Sequence, residues 1–384
     1  MRPFYRSMLM GLFMSAGLAQ AAPGPAITTD KAYVDVVFVL DTTGSMSGLI
    51  AAAKEKIWAI ANTLTQTRPT PEIRMGLVGY RDRGDEYITR VTDLTTNLDA
   101  VYESLMGFSA DGGGDGPESV NQALNEVVTR FSWRPDANTY KVVFLVGDAP
   151  PHMDYQDDVK YTDTLKAANG RGIVVNTIQC GADPMTTPVW QDIAQRAEGR
   201  YFQVEQGGSA VAVATPYDAE LAGLSREMEK TRLSYGTAAE QARQAEKFTL
   251  SDKIRAAAPA SALASRAELN AKEAGARNLL GEKELVKDVS EGRVDLGALK
   301  EDELPAALKP LPRSERAKVV RESEDRRRQV QGKIQELSER RQAYIAEEVN
   351  KTDAAPASLD HKLYSAIKDQ GAEKNIIYDQ GPAY

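Results

Sequence analysis

Three observations predict a doubly wound, mostly parallel α/β sheet for the first half of this chain and a mainly α-helical region for the second. Strand-like and helix-like runs alternate between residues 34 and 204, the pattern of parallel strands joined by crossover helices. The run 34–40 is apolar throughout rather than alternating, as expected of a strand covered on both faces. Composition then changes: Trp58, Trp133, Trp190 and the single cysteine, Cys180, all precede residue 191, and the chain beyond 205 is rich in Ala, Glu, Lys and Arg. Gly207-Gly208-Ser209 and Pro216 mark the boundary with linker chemistry.

Taken in order, the pattern predicts a strand at 34–40, a helix at 49–64, and strands at 73–80 and 87–94. Only a charged turn separates the last two, so they form an antiparallel hairpin at one edge. A helix at 99–107 leads into a glycine-rich loop. Pro117 then opens another helix, because a proline in the first turn sacrifices no hydrogen bond. Strand 141–146, helix 158–168, strand 172–178, helix 188–198 and strand 201–204 complete a domain spanning 33–206. Residues 207–237 read as a linker and 238–384 as a helical, partly flexible region, with helices at 238–247, 255–280 and 314–350. The last would be about 50 Å long at 1.5 Å per residue. Its apolar stripe (Val330, Ile334, Leu337, Tyr344, Ile345) is thin and broken by Arg341. That suits a coiled-coil or helical-hairpin seam through which the chain could self-associate, with a solvated tail as the alternative.

Bulk properties narrow the function. The 384 residues carry a net charge of -8, which disfavours nucleic acid as a partner. The N-terminus has basic Arg2 and Arg6, an apolar run at 7–18 and the small-x-small triplet Ala19-Gln20-Ala21. This is the layout of a signal peptide spanning 1–21, predicting export, with the periplasm favoured over full secretion. No second stretch approaches the roughly 18 apolar residues of a membrane span. One cysteine allows no intramolecular disulfide, and Cys180 reads as a half-buried strand residue.

The chemistry concentrates at strand ends. Asp41-Thr42-Thr43-Gly44-Ser45-Met46-Ser47 follows the first strand, offering one carboxylate and two hydroxyls from a single loop, an oxygen-rich set suited to a hard cation. Asp148 stands at the end of the 141–146 strand, and two acids at the tops of central strands repel unless a cation lies between them. The loop Asp111-Gly112-Gly113-Gly114-Asp115-Gly116-Pro117-Glu118 arrives at the same end. Open α/β sheets bind ligands there.

These three loops, in this order, resemble the metal-ion-dependent adhesion site of von Willebrand factor A (VWA) domains. The resemblance covers roughly residues 33–206. It implies a divalent cation, Mg²⁺ first and Mn²⁺ or Ca²⁺ as alternatives, ligated by Asp41, Thr43 and Ser45, with Asp148 as the distal carboxylate. It also implies a partner protein whose carboxylate completes the coordination. The family usually offers a threonine before the Pro-Glu pair, where this chain has Gly116; either water or Asp115 takes that place. The turn Arg81-Asp82-Arg83-Gly84-Asp85 and nearby His152 would form a charged rim that selects the partner, with an ordinary solvated turn as the alternative. An integrin-recognition role for the Arg83-Gly84-Asp85 tripeptide is disfavoured.

Competing classes fit less well. A haloacid-dehalogenase-type phosphohydrolase needs a second aspartate where Thr43 stands. No phosphate-cradling Gly-x-x-x-x-Gly-Lys-Ser/Thr loop is present, and two histidines, His152 and His361, give a zinc hydrolase little to work with. The expected function is therefore a non-enzymatic, metal-dependent protein-binding module of the cell envelope, with a structural scaffold assembled through the C-terminal helices as the alternative.

Overall fold

Residues 31–114, 116–208, 213–351, 358–378 and 381–383 are described by a computed structural model. Their strands are β1 (Tyr33–Asp41), β2 (Thr67–Arg68), β3 (Glu72–Tyr80), β4 (Thr89–Thr95), β5 (Tyr140–Gly147), β6 (Ile173–Cys180), β7 (Tyr201–Val204) and β8 (Ile377–Tyr378). Six of them form one sheet in the order β4-β3-β1-β5-β6-β7. Every neighbouring pair is parallel except β3 and β4, the antiparallel edge hairpin the sequence predicts. The parallel strands therefore end along one crest, where Asp41 pairs in register with Tyr80 and Asp148 directly follows β5.

Helices cover both faces. α1 (Ser47–Thr65) and α2 (Leu98–Met106) pack on one, and α3 (Val120–Arg130), α4 (Tyr161–Gly170) and α5 (Thr186–Arg196) on the other. Valines of β1 and β5 point into both layers, which is why those runs carry no polar alternation. α3 starts at Val120 rather than at Pro117, because Glu118 is drawn into a bridge with Pro151 and its N–H donates to the Pro150 carbonyl at 2.9 Å.

The second half adds α6 (Asp218–Glu229), α7 (Ala238–Ala257), α8 (Ala260–Ala271), α9 (Ala276–Leu280), α10 (Leu285–Ser290), α11 (Arg313–Asn350) and α12 (Leu359–Ala372). Pro259 divides the expected 255–280 helix, serving as the N-cap of α8. The stretch 207–237 differs from a plain linker: it contains α6, whose Leu221 and Met228 are fully buried. α8 lies over α1, so α1 is buried nearly all round; Asn62 of α1 donates to the Ser265 carbonyl of α8 at 2.8 Å. The thin stripe of α11 packs inside the chain, with Val330, Ile334 and Leu337 meeting α6, α8 and α9. Arg341, the break in that stripe, is itself buried and pairs with Asp218 at 2.8 Å. α12 returns to the sheet, where Leu359, Leu363 and Ile367 join the core formed by α1, β5 and β6. Residues from Lys31 onward make one compact unit. No helix among the described residues is long and apolar enough to cross a membrane. The signal peptide expected at 1–21 lies outside the described residues.

Candidate metal centre

β1 ends in Asp41, and its next residues turn sharply into α1. Asp41 is fully buried; its Oδ1 accepts from the Thr43 N–H at 2.9 Å and the Thr43 hydroxyl at 2.6 Å. The Thr43 hydroxyl lies 3.4 Å from that of Ser45, which stands exposed at the open side. Asp41 Oδ2, by contrast, is buried with no hydrogen-bond partner. Asp148 arrives from β5, half-buried. The Gln206 amide nitrogen donates to Asp148 Oδ2 at 2.6 Å and approaches the Ser45 carbonyl at 3.4 Å, so one side chain touches both loops. Gly147 allows this closeness: a Cβ there would sit 2.5 Å from the Tyr80 hydroxyl and 2.9 Å from Asp41 Cβ.

The glycine-rich loop closes over the same spot. Gly44 N–H donates to the Gly112 carbonyl at 3.2 Å, and Asp111 N–H to the Thr42 carbonyl at 3.2 Å. Gly112 and Gly113 take φ values of +74° and +78°, a region glycine enters freely. A side chain at Gly112 would collide with Asp85, whose carboxylate accepts from the Gly113 N–H at 3.1 Å. Gly113 in turn packs on Thr43 and on the Glu118 carboxylate. Glu118 is 3% exposed, and its Oε2 is a second buried oxygen without a partner. Asp115 lies outside the described residues.

Electrostatics follow from this crowding. Burial, aided by the charge of Asp148, pushes the Asp41 carboxyl up to about 7. Burial, with Asp41, Asp82, Asp85 and Asp148 nearby, pushes Glu118 to about 9. Like charges gathered in a low-dielectric site resist ionisation unless a cation joins them. The donor set therefore fits a hard divalent ion: Asp41, Ser45 and Thr43 from one loop and Asp148 from another, with the orphaned oxygen Asp41 Oδ2 among them and Glu118 Oε2 beside them. Such an ion would supply a Lewis-acidic point charge at the crest. Cys180, expected half-buried, is 1% exposed and is held protonated by burial beneath these acids.

The rim is corrected. Arg81, Asp82 and His152, expected at the surface, are 1%, 6% and 5% exposed. They brace the loops. Arg81 donates to the carbonyls of Thr42 and Ser109. Asp82 accepts from the hydroxyls of Ser119 and Tyr155, each at 2.8 Å. His152 stacks on Tyr155 and contacts Asp82 and Asp154. Arg83 and Asp85 are half-buried, Arg83 against Asp157 and Asp158. Motif reasoning overlooked Gln206 and the acidic contribution of Glu118. A Glu directly after the motif's proline was a signal for the second; nothing local marks the first.

Comparison with known proteins finds a family match over the residues that build the sheet and its crest loops. Residues 35–214, just under half the chain, match the family model described as the von Willebrand factor A domain. These residues are a VWA domain. The putative ariadne-like RING finger protein R811 of Acanthamoeba polyphaga mimivirus is 31% identical over 123 residues, 32% of this chain and 12% of that protein. The α-protein kinase vwkA of Dictyostelium discoideum is 31% identical over 121 residues, 31% of this chain and 19% of that protein. The shared stretch is thus a small part of each relative. Among solved structures, an aerotolerance-related membrane protein of Bacteroides fragilis is 16% identical with a TM-score of 0.33, covering 46% of this chain and 94% of that one. Proximal thread matrix protein 1 of the mussel byssus is 15% identical with a TM-score of 0.36, covering 46% and 42%. VWA domains commonly mediate protein–protein interaction.

Proposed function

We propose that this VWA domain binds a partner protein through a divalent cation, Mg²⁺ before Mn²⁺ or Ca²⁺, held by Asp41, Thr43, Ser45 and Asp148. The observation that carries the reading is the pair of buried, partnerless carboxylate oxygens, Asp41 Oδ2 and Glu118 Oε2, beneath an exposed Ser45. A partner carboxylate completes the ion's coordination, so the role is binding rather than catalysis. The leader-like N-terminus supports an exported setting for the encounter, the periplasm before full secretion. The scaffold alternative is weaker, because the apolar stripe of α11 is already covered by α6, α8 and α9.

A photo-crosslinking amino acid at Gly114, exposed on the glycine-rich loop with open space around it, tests this in living cells. A specific adduct should form, and both chelation and Asp41→Ala should abolish it. An adduct indifferent to both would contradict the reading.

A further inference from the structure

On the flank of the domain, away from the crest, a cleft of about 240 Å³ lies between the β4–α2 connection, α7 and the residues following α9. Thr96, Asn97, Arg243, Lys247, Arg277 and Lys283 supply its polar wall. Arg277 is engaged by Glu72 at 3.3 Å and Lys283 by Glu240 at 3.6 Å. Arg243 makes no ion pair or hydrogen bond among the described residues. Lys247 is 9% exposed, and the hydrogen bond of its ammonium goes to a neutral acceptor, Asn97 Oδ1, at 2.6 Å. With that oxygen so used, the two N–H groups of the same amide remain available to a ligand. Two acids share the wall. Glu240 is committed to the Thr237 N–H and hydroxyl, each at 2.8 Å, and Glu282 is exposed at the rim.

A second observation lies behind the wall. Lys247 belongs to an ionic cluster joining α2 to α6, α7 and α8. Its carboxylates Asp99 and Glu229, with Asp252 at the surface, face Arg266, Arg255, Arg232 and Lys247. Cations outnumber acids there, and Lys247 is the member that faces the cleft. Burial brings its ammonium down to about 8 even with Asp99 near, Arg266 and Arg232 adding to the drop. Thr96 and Asn97 also sit at the N-terminal end of α2, where the helix dipole favours negative charge.

We propose that this cleft binds a small phosphate-type oxyanion, held by the Arg243 guanidinium, the Lys247 ammonium and the Asn97 side-chain amide. An anion there supplies the carboxylate-like partner these donors lack and offsets the cationic excess behind them. Free phosphate and a phosphate monoester share the required chemistry.

Titration calorimetry on the full chain with inorganic phosphate, in EDTA at constant ionic strength, tests it without involving the metal centre. Saturable binding is expected, unchanged in Asp41→Ala and weakened roughly tenfold or more in Arg243→Ala, the scale of one charge-assisted contact. Lys247→Gln should weaken it similarly, and the exposed Arg243 keeps the test valid if that variant fails to fold. Tighter binding of glycerol phosphate would assign an ester ligand, and equal binding the free ion. No saturable binding by the parent chain, or parent-like binding by Arg243→Ala, would overturn the proposal.

Discussion

Asp41 and Asp148 are held at the crest by different means, and the difference shapes what each can do. Asp41 is fixed by two bonds from Thr43, leaving Oδ2 free, whereas Asp148 is half-exposed and touched by Gln206. Gly116 is the departure from the family pattern. Nothing lies within 4 Å of a Cβ built there, and its φ is outside the left-handed region. Gly116→Thr should therefore fold normally and restore a hydroxyl near the proposed cation. Mg²⁺ affinity measured by calorimetry should rise several-fold, about 1 kcal/mol for one added polar contact; an unchanged affinity would mean position 116 does not face the ion. At this scale the acids and hydroxyls were legible, because strand ends and hydroxyl spacing are written locally. The rim was not. Arg81 and Asp82 lie in a charged turn and His152 in the loop after β5, and only the packing of these segments with one another and with the 111–119 loop decides that they are buried braces.

The sheet strands declared themselves through β-branched runs, and the long helix through its three- and four-residue steps. α6 and α12 stayed hidden for a common reason: each is short, mixed in composition and stabilised by residues far away in the sequence. Their attachment depends on buried polar groups. Arg266 of α8 donates to Asp99 of α2 at 2.8 and 2.7 Å and to Glu229 of α6 at 2.7 Å, all nearly solvent-free. Removing one partner strands the other charge, so Arg266→Met should cost about 3–5 kcal/mol in denaturant unfolding; a loss under 1 kcal/mol would show the network to be incidental. The same pair sets a pH dependence. Burial alone would raise the Asp99 carboxyl, but Arg266 more than offsets it, leaving about 2, below the unfolded value of about 3.9. The stability from this group is therefore complete above about pH 4 and lost as pH falls towards 2. Unfolding at pH 5 and pH 2.5 should differ less in Asp99→Asn than in the parent.

Across the whole molecule, the two halves that composition separates share one core. Leu359, Leu363 and Ile367 of α12 lie against β5, β6 and α1, and Ala383 N–H donates to the Thr63 hydroxyl at 2.9 Å. A chain stopped at residue 351 would expose that face, at about 1.5–3 kcal/mol for each large apolar side chain uncovered. It should aggregate or melt far below the full chain in calorimetry; a melting temperature within a few degrees of the parent would show the helical cap to be dispensable. No composition shift could reveal such a return, since the residues that meet lie more than a hundred positions apart. The proposed function rests on one place in this architecture, the crest where separate loops bring oxygen atoms close together. The most direct test is a crystal of the full chain grown with Mn²⁺ and examined at the manganese edge. An anomalous peak bounded by Asp41, Ser45 and Asp148, absent in Asp41→Ala, is the predicted result; a well-ordered crest with no peak at saturating Mn²⁺ would contradict it.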